Sequence, residues 1–217
     1  MTKFTILTKI ISQRKAIRNY TSAKISTSLI KKITQIATRA PSWYGLEPRF
    51  ILIIENKKIK EELYPFINQQ EQILNCSHLF LLLSYRGEAF NCETKLLQDK
   101  VLWKYDRLTP DDYPNFVSEN LKNFTSENYQ WISNWAQQQC FILLPNFLLL
   151  FTSLNIATCP MGGFEKEKVL EYLEKQAIIP IGYFNLTVIF TAGFVSSEKE
   201  WKKKIKKREW KKLYKVV

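Results

Sequence analysis

Histidine and cysteine are scarce in this chain of 217 residues, and that scarcity removes several chemistries at once. His78 is the only histidine, so a His-based metal site or a Ser-His-Asp triad would rest on one residue. It heads an apolar run, Leu79-Phe80-Leu81-Leu82-Leu83, where it reads as a hydrogen-bonded structural residue. Cys76, Cys92, Cys140 and Cys159 are far apart and form no CxxC pair. That argues against a zinc ribbon or a disulfide scaffold and fits a reduced, cytoplasmic setting. Met1–Arg14 has neither the long apolar run nor the small-residue cleavage site of a signal peptide. Internal repeats and low-complexity linkers are also missing, so one domain is expected over residues 1–217. The one stretch to weigh as a membrane span, Cys140–Ala157, is interrupted by Pro145, Asn146, Thr152, Ser153 and Asn155. A span needs roughly 20 mostly apolar residues, and this segment reads instead as the central buried helix of a globular protein.

What is present is core-forming material: 46% of the residues are hydrophobic and 14% aromatic. Phe4–Gln13 carries Phe4, Ile6, Leu7, Ile10 and Ile11 near one helical face. Ser26 or Thr27 caps a second helix in which Leu29, Ile30, Ile33, Ile36, Ala37 and Ala40 fall on one stripe, stopped by Pro41. Arg49–Glu55 and His78–Ser84 read as buried strands, Lys58–Ile67 as a short surface helix, and Glu165–Lys175 as another helix. Tyr183–Ala192 reads as a strand ended by Gly193, and a long helix begins near Ser126. Residues 87–128 are polar, aromatic and without a strong period, which predicts short helices and loops. The fold class is α+β.

Charge is unevenly placed. The net charge is +12, of which residues 198–217 hold +7 with ten Lys or Arg against three Glu. Such a tail can face nucleic acid or anionic lipid, with Trp201, Trp210 and Tyr214 stacking on bases, or it can be a solvated helix lending a few cations to a ligand. Four short segments stand in order along the chain: Arg14-Lys15-Ala16-Ile17-Arg18-Asn19-Tyr20, Ala40-Pro41-Ser42, Pro160-Met161-Gly162-Gly163-Phe164 and Lys206-Lys207-Arg208. Arg14 and Arg18 are four apart at a helix end, and Lys206 and Arg208 are two apart. If the chain ends meet, these residues form a cationic socket; otherwise they are two ordinary exposed basic clusters.

With those segments in that order, the chain resembles the FMN-dependent nitroreductase family over most of its length, the variable 87–128 excepted. The resemblance implies a mostly antiparallel sheet flanked by helices, in an interlocked homodimer with FMN at the subunit interface. It implies that Arg14, Lys15, Ala16 and Arg18, with Lys206 and Arg208, surround the flavin phosphate. Pro160, Met161, Gly162 and Gly163 then form the loop at the flavin ring, where glycine backbone N–H groups approach N5 and its neighbouring carbonyl. Pro41, Ser42 and Trp43 correspond to a loop that reaches the flavin of the other subunit. Gln72 falls where a ring-contacting Lys is common, and Phe124 is a candidate wall of the substrate pocket. No side chain is expected to act as acid or base, because the flavin carries the chemistry.

Several positions depart from the family pattern. Ala16 replaces a phosphate-binding Ser, Gly45 a common Asn, and Glu47 and Arg49 the Gln and Trp of Asn-x-Gln-Pro-Trp. The implied activity is electron transfer from NADH or NADPH through FMN to a nitroaromatic, quinone or flavin-type acceptor, with ping-pong kinetics. The alternative is a protein that keeps the fold but works as a flavin- or polyanion-binding module through its basic tail.

Overall fold

The computed structural model describes residues 1–195, 197–202 and 213–215. Helices α1 (Lys3–Gln13) and α2 (Thr27–Ala37) precede β1 (Arg49–Ile54), α3 (Lys57–Leu63), α4 (Gln72–Asn75) and β2 (His78–Tyr85). Then come α5 (Lys95–Lys104), α6 (Tyr113–Asn120) and the 25-residue α7 (Tyr129–Ser153). The chain continues through β3 (Ala157–Met161), α8 (Lys166–Lys175), β4 (Phe184–Gly193) and α9 (Glu198–Lys202). The four strands form one antiparallel sheet in the order β1-β2-β4-β3.

Why β2 is a continuous apolar run follows from its central place, covered on both faces. Leu79, Leu81 and Leu83 enter a core with Leu63, Ile67, Ile73 and Leu173. Phe80 and Leu82 enter another with Phe147 and Phe151 of α7 and Ile30 and Ile33 of α2. Phe80 lies 4.5 Å from Phe190, centroid to centroid, at 10°. Between Leu82 and Leu83 the register shifts, so that Thr187 is the extra residue of a bulge and Leu186 and Ile189 share one core. A third cluster, with Phe90, Phe124 and Trp135 at its centre, lies under the 87–128 excursion.

The strand and helix readings of the sequence match these elements to within a few residues, with four corrections. The Lys58–Ile67 helix splits into α3 and a 3-10 turn, Tyr64–Ile67, because Pro65 cannot extend an α-helical ladder. The helix expected from Ser126 begins with a 3-10 turn and becomes α-helical at Tyr129. Ile36, expected on the buried stripe of α2, is 42% exposed. Pro160 and Met161, expected in a turn, belong to β3; a proline is tolerated there because β3 is the sheet edge.

Ser26 caps α2 by accepting the Leu29 N–H, and Thr2 caps α1 by accepting the Thr5 N–H. The structure supports the α7 reading as well: among the described residues no helix is long and apolar enough to cross a membrane. His78 is buried, with Nδ1 2.9 Å from Ser77 Oγ, which also accepts the Ile25 N–H.

Candidate functional site

Arg14 ends α1 in an extended conformation, and the chain then runs along the outer edge of β3. Ala16 bridges Thr158 in parallel, and the Ile17 N–H donates to the Thr158 carbonyl at 3.1 Å. This basic strap thereby extends the sheet and protects an edge that would otherwise be open. Ile17 is buried beneath it, whereas Arg18 stays exposed and Arg14 and Lys15 are half-buried. Arg18 and Arg14 lie close enough to Cys159 to favour its thiolate, yet burial dominates and pushes that thiol up. Tyr20 closes the strap by bonding Thr191 Oγ1 at 2.7 Å with its ring against Gly193. A Cβ at Gly193 would sit 2.7 Å from Tyr20 Cδ1, which explains the glycine.

The strap meets the segment that follows β4. The Thr21 N–H donates to the Phe194 carbonyl, and Lys15 Nζ donates to the Trp201 carbonyl in α9. Lys206 and Arg208, the expected C-terminal half of the socket, lie outside the described residues, as does Trp210.

At the far end of β3 is the glycine pair. A Cβ at Gly162 would meet nothing within 4 Å, so the chain leaves open space there. Among the described residues neither Gly162 nor Gly163 donates its N–H to the backbone. Gly163 is enclosed differently: its carbonyl accepts from Gln70 Nε2 at 2.9 Å, and a Cβ would stand 2.9 Å from Asn68 Nδ2. Asn68 and Gln69 both have φ of 48°, an unusual left-handed pair that folds this polar turn against the glycines. Gln72 is buried and points inward, with Nε2 on Gln70 Oε1 at 2.9 Å and Met161 Sδ at 3.1 Å. It therefore supports the turn from below through Gln70. Four residue steps lead from Thr158, beside the strap, to Gly162, roughly 13 Å at strand rise.

Residues 40–47 form a second constellation, tightly wound, with Tyr44, Gly45 and Glu47 all at positive φ. Ser42 Oγ accepts the Glu47 N–H at 3.0 Å, and Gln139 Oε1 accepts the Trp43 N–H at 3.1 Å. Trp43 and Trp131 remain 43% and 37% exposed, with ring centroids 5.9 Å apart. Phe124 lies behind them, fully buried, edge-on to Trp131 and Trp135. It backs this aromatic surface and does not itself face an opening in the chain, contrary to the pocket-wall expectation; Trp43 and Trp131 are the exposed members.

Sequence reading missed Asn68, Gln70, Gln139 and Trp131. The Asn68-Gln69-Gln70 run after Pro65 was the available signal, since Asn is among the few residues that tolerate left-handed backbone. Among the described residues no group of three or more His, Cys, Asp or Glu is placed to hold a metal ion.

A basic strap, an edge strand and an open glycine turn thus lie together along one side of an α+β protein. The Nitroreductase family model matches residues 11–193, and the chain belongs to that family. A curated relative from Staphylococcus haemolyticus, named "Putative NAD(P)H nitroreductase", is 29% identical over 181 residues, 81% of each chain. A crystal structure of a "putative nitroreductase" from Bacillus subtilis aligns with a TM-score of 0.80 at 18% identity, covering 99% of this chain and 100% of that one. Another, from Exiguobacterium sibiricum and solved in complex with FMN, aligns at 0.76 with 18% identity, covering 100% of this chain and 98% of that one. The likeness to these structures establishes the fold.

Proposed function

We propose that this chain is an FMN-dependent oxidoreductase that takes electrons from NADH or NADPH and delivers them to nitroaromatic, quinone or flavin-type acceptors. The carrying observation is the alignment of the basic strap and the open Gly162 position along one edge strand. The residues present fit FMN. Arg14 and Arg18, with Lys206 and Arg208 from the other chain end, offer the forked and point charges that suit a phosphate. Lys15 ties the strap to α9, the element that precedes Lys206 and Arg208 in sequence. Gly162 leaves room for a ring to approach the backbone, and the N–H groups of Gly162 and Gly163 are available to donate toward it. When bound, FMN supplies hydride and electron transfer that no protein side chain can.

The protein's part is positioning. Gln70 holds the Gly163 carbonyl and so orients the glycine peptide, while buried Gln72 holds Gln70. Pro41, Ser42 and Trp43 stand on a separate loop, suited to closing the site from a second subunit. A dimer also accounts for the apolar surface that one chain leaves exposed. Phe4, Leu7 and Ile11 of α1 are 79%, 50% and 48% exposed. Leu7, Ile10, Ile36, Leu149 and Leu150 line a groove of about 400 Å³ between α1, α2 and α7. Burying an apolar side chain completely is worth about 1.5–3 kcal/mol, and covering the exposed part of each of these with a second copy of the same surface gains a share of that. With one pocket shared in turn by donor and acceptor, the kinetics are ping-pong.

Titration of the purified chain with FMN, followed by flavin fluorescence and by sedimentation, tests this reading. Stoichiometric quenching on a dimer is expected. A stable monomer that ignores FMN would refute it.

A further inference from the structure

Arg49 stands where the family pattern has a Trp, and the structure gives it a task. It opens β1 and is 8% exposed. Nη2 donates to the Ala40 carbonyl at 2.7 Å and to the Thr38 carbonyl at 3.2 Å, and Nη1 donates to the Gln139 carbonyl at 3.3 Å. Glu47, at the other end of the same loop, brings Oε1 to 3.7 Å from Nη2. One guanidinium thus gathers the chain just before Pro41, the chain just after Leu46 and the middle of α7. Gln139 completes the arrangement, its backbone held by Arg49 while its side chain accepts the Trp43 N–H.

We propose that Arg49 and Gln139 are positioning residues that set the Ser42–Trp43 segment for the flavin site, an inference that rests on the function proposed above. A buried guanidinium cannot lose its acceptors cheaply, so the carbonyls it holds are fixed in place. Besides Gly45, which tolerates positive φ, the segment between them carries two left-handed non-glycine residues, Tyr44 and Glu47, a conformation that persists only where surroundings over-determine it. The clamp supplies that constraint: Arg49 holds the base of the loop, Gln139 its tip. It leaves Trp43 presented at its observed angle to Trp131 and Trp135, 72° and 66°. In this chain, a polar clamp does what a large aromatic side chain at position 49 would do by packing.

The test combines amide hydrogen exchange with flavin affinity in the full-length protein. Trp43, Gly45, Leu46 and Glu47 each donate an amide bond inside the loop or to Gln139. Gln139→Leu removes the bond to Trp43 and should speed exchange at these amides about tenfold while weakening FMN binding and raising the acceptor KM by a similar factor. Arg49→Met should do more, with Arg49→Lys between, since a lysine replaces the fork with one ammonium group. Where Arg49→Met fails to fold, Gln139→Leu decides. Ile54→Val is the control, buried at the far end of β1 and two strands away from β3: it lowers overall stability but should leave loop exchange and FMN affinity unchanged. Unaltered exchange in Gln139→Leu, or faster exchange with unchanged FMN affinity and KM, would overturn the proposal. A wild-type chain that binds no FMN would instead refute the site reading itself, and this use of the clamp with it.

Discussion

Replacing Gly162 by alanine separates the cost of a side chain to the fold from its cost to a ligand. The backbone there is not left-handed, and a Cβ would meet nothing within 4 Å. Alanine therefore fits the folded chain without strain and restricts the unfolded one, a gain of about 0.4–1 kcal/mol. For a domain of this size that raises the melting temperature of the flavin-free protein by roughly 1–4 °C. The same methyl fills space proposed for the flavin ring and holds it away from the backbone N–H groups, so FMN affinity should fall at least about tenfold. Gly193→Ala gives the opposite thermal signature, because its Cβ would collide with the Tyr20 ring at 2.7 Å; overpacking of this kind costs about 1–3 kcal/mol. Thermal scans with and without FMN, joined to a fluorescence titration, read both quantities. A Gly162→Ala protein that melts earlier without FMN would refute the geometry, and one with wild-type FMN affinity would place the ring elsewhere.

Phe80→Ala should destabilise the chain by about 3–5 kcal/mol in urea unfolding, since it empties a fully buried site among Phe147, Phe151 and Phe190. Burial pushes the His78 pKa below its usual value, with Glu55 opposing and Lys60 and Lys24 adding to the effect. The unfolded chain therefore takes up a proton that the native chain resists, so His78's contribution is complete above about pH 6.5 and is lost as pH falls below it. His78→Gln should flatten stability measured between pH 5.5 and 8. Of the four thiols, Cys92 alone is half-exposed, whereas burial pushes Cys76 and Cys140 each up to about 11. A thiol reagent at neutral pH should label Cys92 in the native protein and the other three only after unfolding, as peptide mapping would show.

β2 was legible in the sequence because it is buried on both faces and contains an unbroken apolar run, and β4 because β-branched and aromatic residues alternate along it. β3 was not, since five residues containing a proline carry no strand period, and only their place at the sheet edge makes them a strand. The N-terminal strap was legible as a cation cluster, but its bridge to Thr158 depends on residues more than a hundred positions apart. Phe124 was read as a pocket wall from its place in the variable 87–128 stretch, expected at the pocket mouth. It is buried against Trp131 and Trp135 in a cluster shared with Leu97 and Val101 of α5, through packing that no local pattern encodes. Arg49 was visible only as a departure from the family pattern. Its acceptors, the carbonyls of Thr38, Ala40 and Gln139, are backbone groups whose positions no side-chain pattern reveals.

The most direct test of the central claim is the visible absorption spectrum of the FMN-reconstituted protein before and after NADH or NADPH is added without oxygen. The expected result is a bound flavin spectrum that bleaches on addition and returns when a quinone or nitroaromatic is supplied. A protein that remains colourless after incubation with FMN and gel filtration, or a bound flavin that neither nicotinamide bleaches, would contradict it.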